Sequence, residues 1–173
     1  MIIASQKRKE NIAEYLLYMW QIEDLIRANG LDINKIISNV IDRYDLSPEQ
    51  RKSMIEWYES LIDMMRREDV VTSGHLQINK NILGQLVALH QQILKDPRFA
   101  DYHELFYRTL PYIVELRGKA GDTPAGEIET CFNALYGTLL LKLQKKGITP
   151  QTSEAIAPVS YTHLRAHETD SYL

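Results

Sequence analysis

Histidines, a single cysteine and helix-spaced carboxylates are the residues of this 173-residue chain whose types can do chemistry. His75, His90 and His103 lie in its body, and His163 and His167 in the segment Val159–Leu173. None of the body histidines stands in an HExxH, an HxH or a Cys/His spacing, the arrangements that put two ligands within reach of one zinc ion. His90, between Leu86 and Leu94, reads as a satisfied, partly buried imidazole. His75 follows Gly74 and reads as a local cap, and His103, between Asp101 and Glu104, as part of a solvated first turn. Cys131 beside Phe132 reads as an inert buried thiol; standing alone, it forms no disulfide within the chain.

The carboxylates Glu14, Glu23, Asp24, Asp63, Glu115, Glu127 and Glu129 fall on segments from which they could converge. A di-metal helical centre needs Glu-x-x-His on each of two helices, and the body has none. Inward carboxylates paired with Arg27, Arg66 or Arg117, as structural or specificity devices, are therefore expected. Charge on helices otherwise suited to burial leaves one candidate polar cleft, near Glu14, Asp63, Arg66 and Arg67, of a kind that takes a small ligand. No catalytic, cofactor-binding or metal-ligating residue is assigned. There is no Gly-rich phosphate loop, GxSxG or kinase signature, and Gly118-Lys119-Ala120-Gly121 has too few glycines. Tyr15, Tyr18, Trp20, Trp57 and Tyr58, at helical spacing, read as core.

These residues have to be positioned by helices, because apolar residues recur with a helical period and no strand-type alternation survives. The first helix is expected over Ser5–Asn29, stopped by Gly30, with one stripe of Ile12, Leu16, Met19, Glu23 and Ile26, a second of Tyr15, Tyr18, Ile22 and Leu25, and neighbours on more than one side. The second starts at Asp32 and runs to Tyr44, burying Ile33, Ile36, Ile37, Val40 and Ile41. Ser47, Pro48 and Gln50 spell a capping box for the third, with Met54, Ile55, Tyr58, Leu61, Ile62 and Met65 inward. After Thr72-Ser73-Gly74 the fourth runs to Lys95 with Ile78, Ile82, Leu86, Leu89 and Ile93 inward. The fifth spans Asp101–Arg117, with Leu105, Phe106, Leu110, Ile113 and Leu116 inward and a kink or break expected at Pro111. Gly118–Asp122 reads as the most flexible loop. Thr123-Pro124 opens the sixth, to Lys146, with Ile128, Phe132, Leu135, Leu139 and Leu143 inward and Gly137 permitting close approach of a neighbour. Thr149-Pro150 begins a seventh.

Val159–Leu173 breaks this pattern. Val159–Thr169 resembles the translation of a transposase-based sequencing adapter, Asp170-Ser171 a sample barcode, and Tyr172-Leu173 the flowcell sequence beyond. The expected organisation is one helical domain over 1–158, C-terminally incomplete, followed by a non-native tail over 159–173. The lost helix would leave an apolar groove uncovered against the first or sixth helix.

Composition limits the partners. A hydrophobic share of 45% with 25% charged residues is that of a folded globular domain. The net charge is −3, and −2 without the tail, which lacks the basic excess that phosphate backbones select. Lys7-Arg8-Lys9, followed by Glu10, reads as a solvated helix start. The longest apolar run, Tyr15–Trp20, is too short to cross a bilayer, and the N-terminal charges follow the apolar residues, the reverse of a signal peptide. One cysteine suits a reducing cytoplasm.

Four stretches, Gln6–Trp20 (QKRKENIAEYLLYMW), Trp57–Glu68 (WYESLIDMMRRE), Gly74–Asn81 (GHLQINKN) and Glu127–Gly137 (EIETCFNALYG), together resemble a family of short helical proteins of gut bacteria, domain of unknown function 4924, gut Bacteroidales type. The resemblance implies a cytoplasmic all-helical protein, and carries over no site residue. The whole reads as all-α: an antiparallel-leaning helical bundle of about six helices plus a truncated seventh. Its expected role is that of a non-enzymatic cytoplasmic interaction or scaffold protein. It would bind a second copy of itself or a protein partner through its helical surface, with no cofactor, nucleic acid or membrane. The alternative is a small-ligand binder or enzyme with a polar inter-helix cleft; the balance leans away from an enzyme.

Overall fold

A computed structural model of the protein describes residues 11–119, 125–144, 153, 156 and 157. Over these the chain is all-α, with no strand. Six helices follow in order: α1 Ile12–Ala28, α2 Ile33–Asn39, α3 Pro48–Arg67, α4 Gln77–Lys95, α5 Ala100–Lys119 and α6 Glu127–Leu143, with 3-10 turns at Ile41–Arg43 and Pro97–Phe99. The chain divides into two compact units, residues 1–82 and 83–173, the boundary falling within α4.

In the first unit, α1 begins later than Ser5. Asn11 is extended, and its side chain accepts from the backbone N–H groups of Ala13 and Glu14, so the helix starts at Ile12. The basic cluster at 7–9 lies outside the described residues. Tyr15, Leu16, Met19, Trp20, Ile22, Glu23 and Ile26 are all buried, the wide arc expected of a helix with several neighbours. Asp32 caps α2 through the N–H of Asn34, but that helix stops at Asn39 and Val40 breaks into the 3-10 turn. Of the five apolar residues expected inside, only Ile36 and Ile41 are fully buried, Ile41 from the 3-10 turn, while Ile33, Ile37 and Val40 are half-buried. The α3 start is the capping box the sequence spells: Ser47 accepts from Gln50 N–H, and the Gln50 side chain accepts from Ser47 N–H.

α1 and α3 end alike. In each, the residue after the C-cap has positive φ, Gly30 at 67° and Asp69 at 55°. Leu31 N–H then returns to Ile26 carbonyl and Val70 N–H to Met65 carbonyl, closing two Schellman motifs over buried apolar pairs. The two ends clasp each other. Arg27 of α1 donates to Val70 carbonyl, while Arg66 of α3 donates to Leu31 carbonyl. Each arginine thus satisfies a carbonyl of the other helix's terminal loop.

In the second unit α5 and α6 pack together, with Ile93, Tyr102, Phe106, Ile113 and Cys131 as the core and Leu89, Leu94, Phe99, Leu110 and Leu116 around it. Several expectations are corrected here. α5 runs unbroken through Pro111 and on to Lys119, so Gly118 and Lys119 are helical. Pro111 is exposed, as is Tyr107 one turn before it, so the carbonyl that loses its N–H partner sits on the solvent side. α6 is capped by Gly126, without a side-chain bond, and starts at Glu127; Thr123-Pro124 and Lys145–Gly147 lie outside the described residues. Leu143, expected inside, is 65% exposed. A Cβ on Gly137 would meet nothing within 4 Å among the described residues, so none of the described helices crosses closely there.

The paired helix ends make a test with opposite signs. Gly30→Ala meets no steric obstacle but forces an L-residue to positive φ, and should cost about 1 kcal/mol. Asp69→Gly relieves the same strain at α3, less the greater unfolded-state freedom of glycine, and should gain about 0.5 kcal/mol. Urea denaturation of the two variants measures both.

Candidate functional site

The most elaborate polar arrangement in the first unit is built on Glu23. This carboxylate sits on the apolar side of α1 and is fully buried. Three groups from the segment that opens α4 converge on it. Leu76 N–H donates to Oε1 at 2.9 Å, the Asn79 side-chain amide donates to Oε1 at 2.7 Å, and His75 Nδ1 lies 2.6 Å from Oε2. Trp20, one turn before Glu23, stacks on the His75 ring at 4.1 Å between centroids and 11° between planes. Glu68 accepts from Gln77 N–H at 2.6 Å. Two carboxylates from outside α4 therefore close its N-terminal N–H groups, where the helix dipole also favours negative charge. Arg27 donates to the carbonyls of Val70 and Gly74 and pairs with Asp24 at 2.8 Å, pinning the loop between α3 and α4.

This site is only partly legible in the sequence. The apolar stripe of α1 contains Glu23, but His75 is no local cap: its partner is 52 residues away. The expected inward Ile78 is 39% exposed, and Asn79 is buried in its stead because its amide reaches Glu23. The signal for that register was the buried carboxylate's need for donors.

The four cleft candidates do not all meet. Asp63 and Arg66 line one open depression of about 500 Å³ together with Gly30–Ile33, Glu59 and Ile62. Arg67 faces outward and pairs with Asp63 at 2.5 Å, both more than half exposed. Glu14 lies in the first turn of α1, about 20 Å along the helix from the end that borders the depression. Arg66 bonds a backbone carbonyl where a carboxylate was expected, while Asp24–Arg27 and Glu127–Arg117 do pair, the latter at 3.4 Å.

The second unit gathers His90, Tyr102, Cys131 and Glu127. The Tyr102 hydroxyl is 2.7 Å from His90 Nδ1, and Phe106 packs edge-on against the imidazole. Burial pushes His90 below its ordinary range, against the pull of Glu127. Burial also pushes the Cys131 thiol up to about 12, Glu127 adding to it, and raises Tyr102. A nucleophilic cysteine needs the opposite shift, so this cluster holds neutral groups in a core. His103 is half-buried and its Nε2 binds Ile93 carbonyl at the end of α4, at 2.7 Å, where a solvated turn was expected. Beside this core an apolar groove of about 490 Å³ runs along α6, lined by Leu116 and Arg117 of α5, Ala134, Gly137 and Leu141 of α6, and Ile156. No three metal-ligating side chains gather at any point among the described residues.

A family model described as a domain of unknown function (DUF4924) matches residues 1–167, a span that continues past Pro158. No curated protein and no solved structure matches the chain significantly.

Two outcomes follow from this geometry. Glu23→Ala strands two buried donors and should cost about 3–5 kcal/mol, whereas Glu23→Gln keeps one acceptor oxygen and should cost less; thermal unfolding of both variants reads the difference. His90 has its pKa lowered in the fold, so the unfolded chain binds that proton more readily. Its contribution is present above the ordinary value near 6.5 and declines as pH falls below it towards the lowered value. Urea midpoints at pH 7.5 and 5.5 should therefore differ less in His90→Gln than in the parent chain.

Proposed function

The chain belongs to the family described as a domain of unknown function (DUF4924), and we propose that it is a non-enzymatic helical interaction or scaffold protein of the bacterial cytoplasm. The observation that carries this reading is on α5. Tyr107 and Val114 stand 63% and 57% exposed on the face turned away from the second unit's core. Tyrosine is the residue type that protein interfaces favour over ordinary surface, because a rigid ring gives large contact area at small entropic cost. The chemistry-bearing side chains support the same reading by what they do. Glu23 and His75 hold a helix end, His103 another, and Cys131 is a thiol held protonated. The cytoplasmic setting rests on the single buried thiol, and is in keeping with the lack of any described helix long and apolar enough to cross a membrane. That residues 159–173 are translated adapter is part of the proposal; it rests on their sequence, and resequencing the gene tests it.

A second reading is favoured by the depression at Asp63 and Arg66, whose volume of about 500 Å³ suits a small molecule. It would make the protein a small-ligand binder. A thermal-shift screen in which no compound raises the unfolding temperature counts against it, since a ligand at a hundred times its Kd adds about 2.7 kcal/mol.

For the leading reading, light scattering over a wide concentration range and affinity capture with the full chain as bait should show self-association or a retained protein partner. A strict monomer that retains no protein above the level of a control bait sinks it.

A further inference from the structure

The solvent face of α5 has an order that points to one partner. Tyr107, Pro111 and Val114 are all exposed and follow one another at four and three residues, so they form one continuous apolar stripe. From Glu104 on, the exposed charges beside this stripe run Glu104, Arg108, then Glu115, Lys119. That series is antisymmetric about the point between Pro111 and Tyr112. Laid against a copy of itself in the antiparallel direction about that point, Arg108 comes opposite Glu115 of the second copy and Glu104 opposite Lys119, while Tyr107 and Val114 come within about two residues of each other and Pro111 within one residue of its counterpart. A parallel, in-register pairing would instead put these charges, which all lie on one side of the stripe, on opposite flanks of the contact and out of reach of one another. Self-complementarity under reversal is the requirement of a two-fold interface, in which one patch serves both subunits.

We propose that this face of α5 is a homodimer contact, the second copy lying antiparallel across Pro111; the proposal rests on the interaction reading above and names its partner. Pro111 leaves the Tyr107 carbonyl without a partner in its own helix, so the second copy must cross beside that carbonyl and leave it to water. Glu115 already pairs with Lys119 of its own helix at 2.6 Å, but both side chains are more than half exposed, and such a surface pair exchanges readily. The segment Glu104–Lys119 is about 24 Å long. One helix-on-helix contact of that length buries on the order of 1,000 Å² in total, the lower limit for a specific interface, so the dimer is weak and concentration-dependent.

The test is a charge exchange in the full chain, read by sedimentation equilibrium. Arg108→Glu alone and Glu115→Arg alone each create two like-charge pairs in the homodimer, and each should weaken association roughly tenfold. An equimolar mixture of the two variants restores both pairs across the heterodimer and should associate about as well as the parent. Because all the substituted positions are exposed, circular dichroism should be unchanged. The double substitution Tyr107→Ser and Val114→Ser should abolish association in every combination, and high salt should weaken the parent.

Self-association that survives all of these substitutions overturns the surface assigned here and leaves the interaction reading standing. A mixture no better than its components overturns the antiparallel arrangement. A parent chain that stays monomeric at the highest soluble concentration overturns the proposal altogether. The broader reading fails with it only if affinity capture also returns nothing.

Discussion

A buried carboxylate is among the most expensive things a helical protein can contain, and the first unit is arranged around one. Desolvating an isolated charge costs several kcal/mol even after relaxation, so Glu23 is tenable only with its lone pairs filled. Leu76 N–H, the Asn79 amide and His75 supply that filling, and all three come from residues 75–79, where the chain enters α4. The same bonds serve the other side equally. The first N–H groups of α4 have no partner within their own helix, and no Ser, Thr, Asp or Asn stands at its N-cap, which is Leu76. One charge and one helix end thus cancel each other's debts. Arg27 then fixes the intervening loop by its carbonyls, while Arg66 does the same at the end of α1.

The second unit shows the contrasting use of titratable groups. There the answer to burial is neutrality. His90, Tyr102 and Cys131 each shift toward the uncharged form because the surrounding core of Ile93, Phe106 and Ile113 offers no solvation. The charged groups that remain, Glu127 and Arg117, sit at the margin where they pair. A histidine, a tyrosine and a cysteine in one place invite a catalytic interpretation, and the directions of their shifts are what argue for packing.

Which features were readable in advance follows from their range along the chain. The α3 capping box involves residues three apart, and the Gly30 stop involves a single backbone position, so both are legible in the sequence. The fold class and the number of helices follow from periodicity, which is equally local. Long-range demands were not readable. Asn79 took the inward position over Ile78 because of a carboxylate 56 residues away, which no hydropathy pattern encodes. Of the four cleft residues, Asp63 and Arg66 share a depression because they lie a turn apart on α3, whereas Glu14 was grouped with them only by charge. Pro111 and Gly137 were both assigned a structural task from residue type alone. Pro111 instead lies on the exposed side of an unbroken helix, and Gly137 meets no close neighbour among the described residues.

The two ways of closing a helix also differ in what they ask of the chain. The capping box of α3 is complete within its own first turn, so that helix can nucleate as soon as its segment is released from other contacts. α4 has no such device. Its first turn is closed by Glu68, 9 residues before Gln77, and by Glu23, 53 residues before Leu76. A loop on that scale has to be closed for the Glu23 bond to form, an entropic cost that the capping box of α3 does not carry. The residues that terminate α1 and α3 are then more than ornaments of those helices: they help bring a distant acceptor to a helix whose first N–H groups have no local side-chain cap.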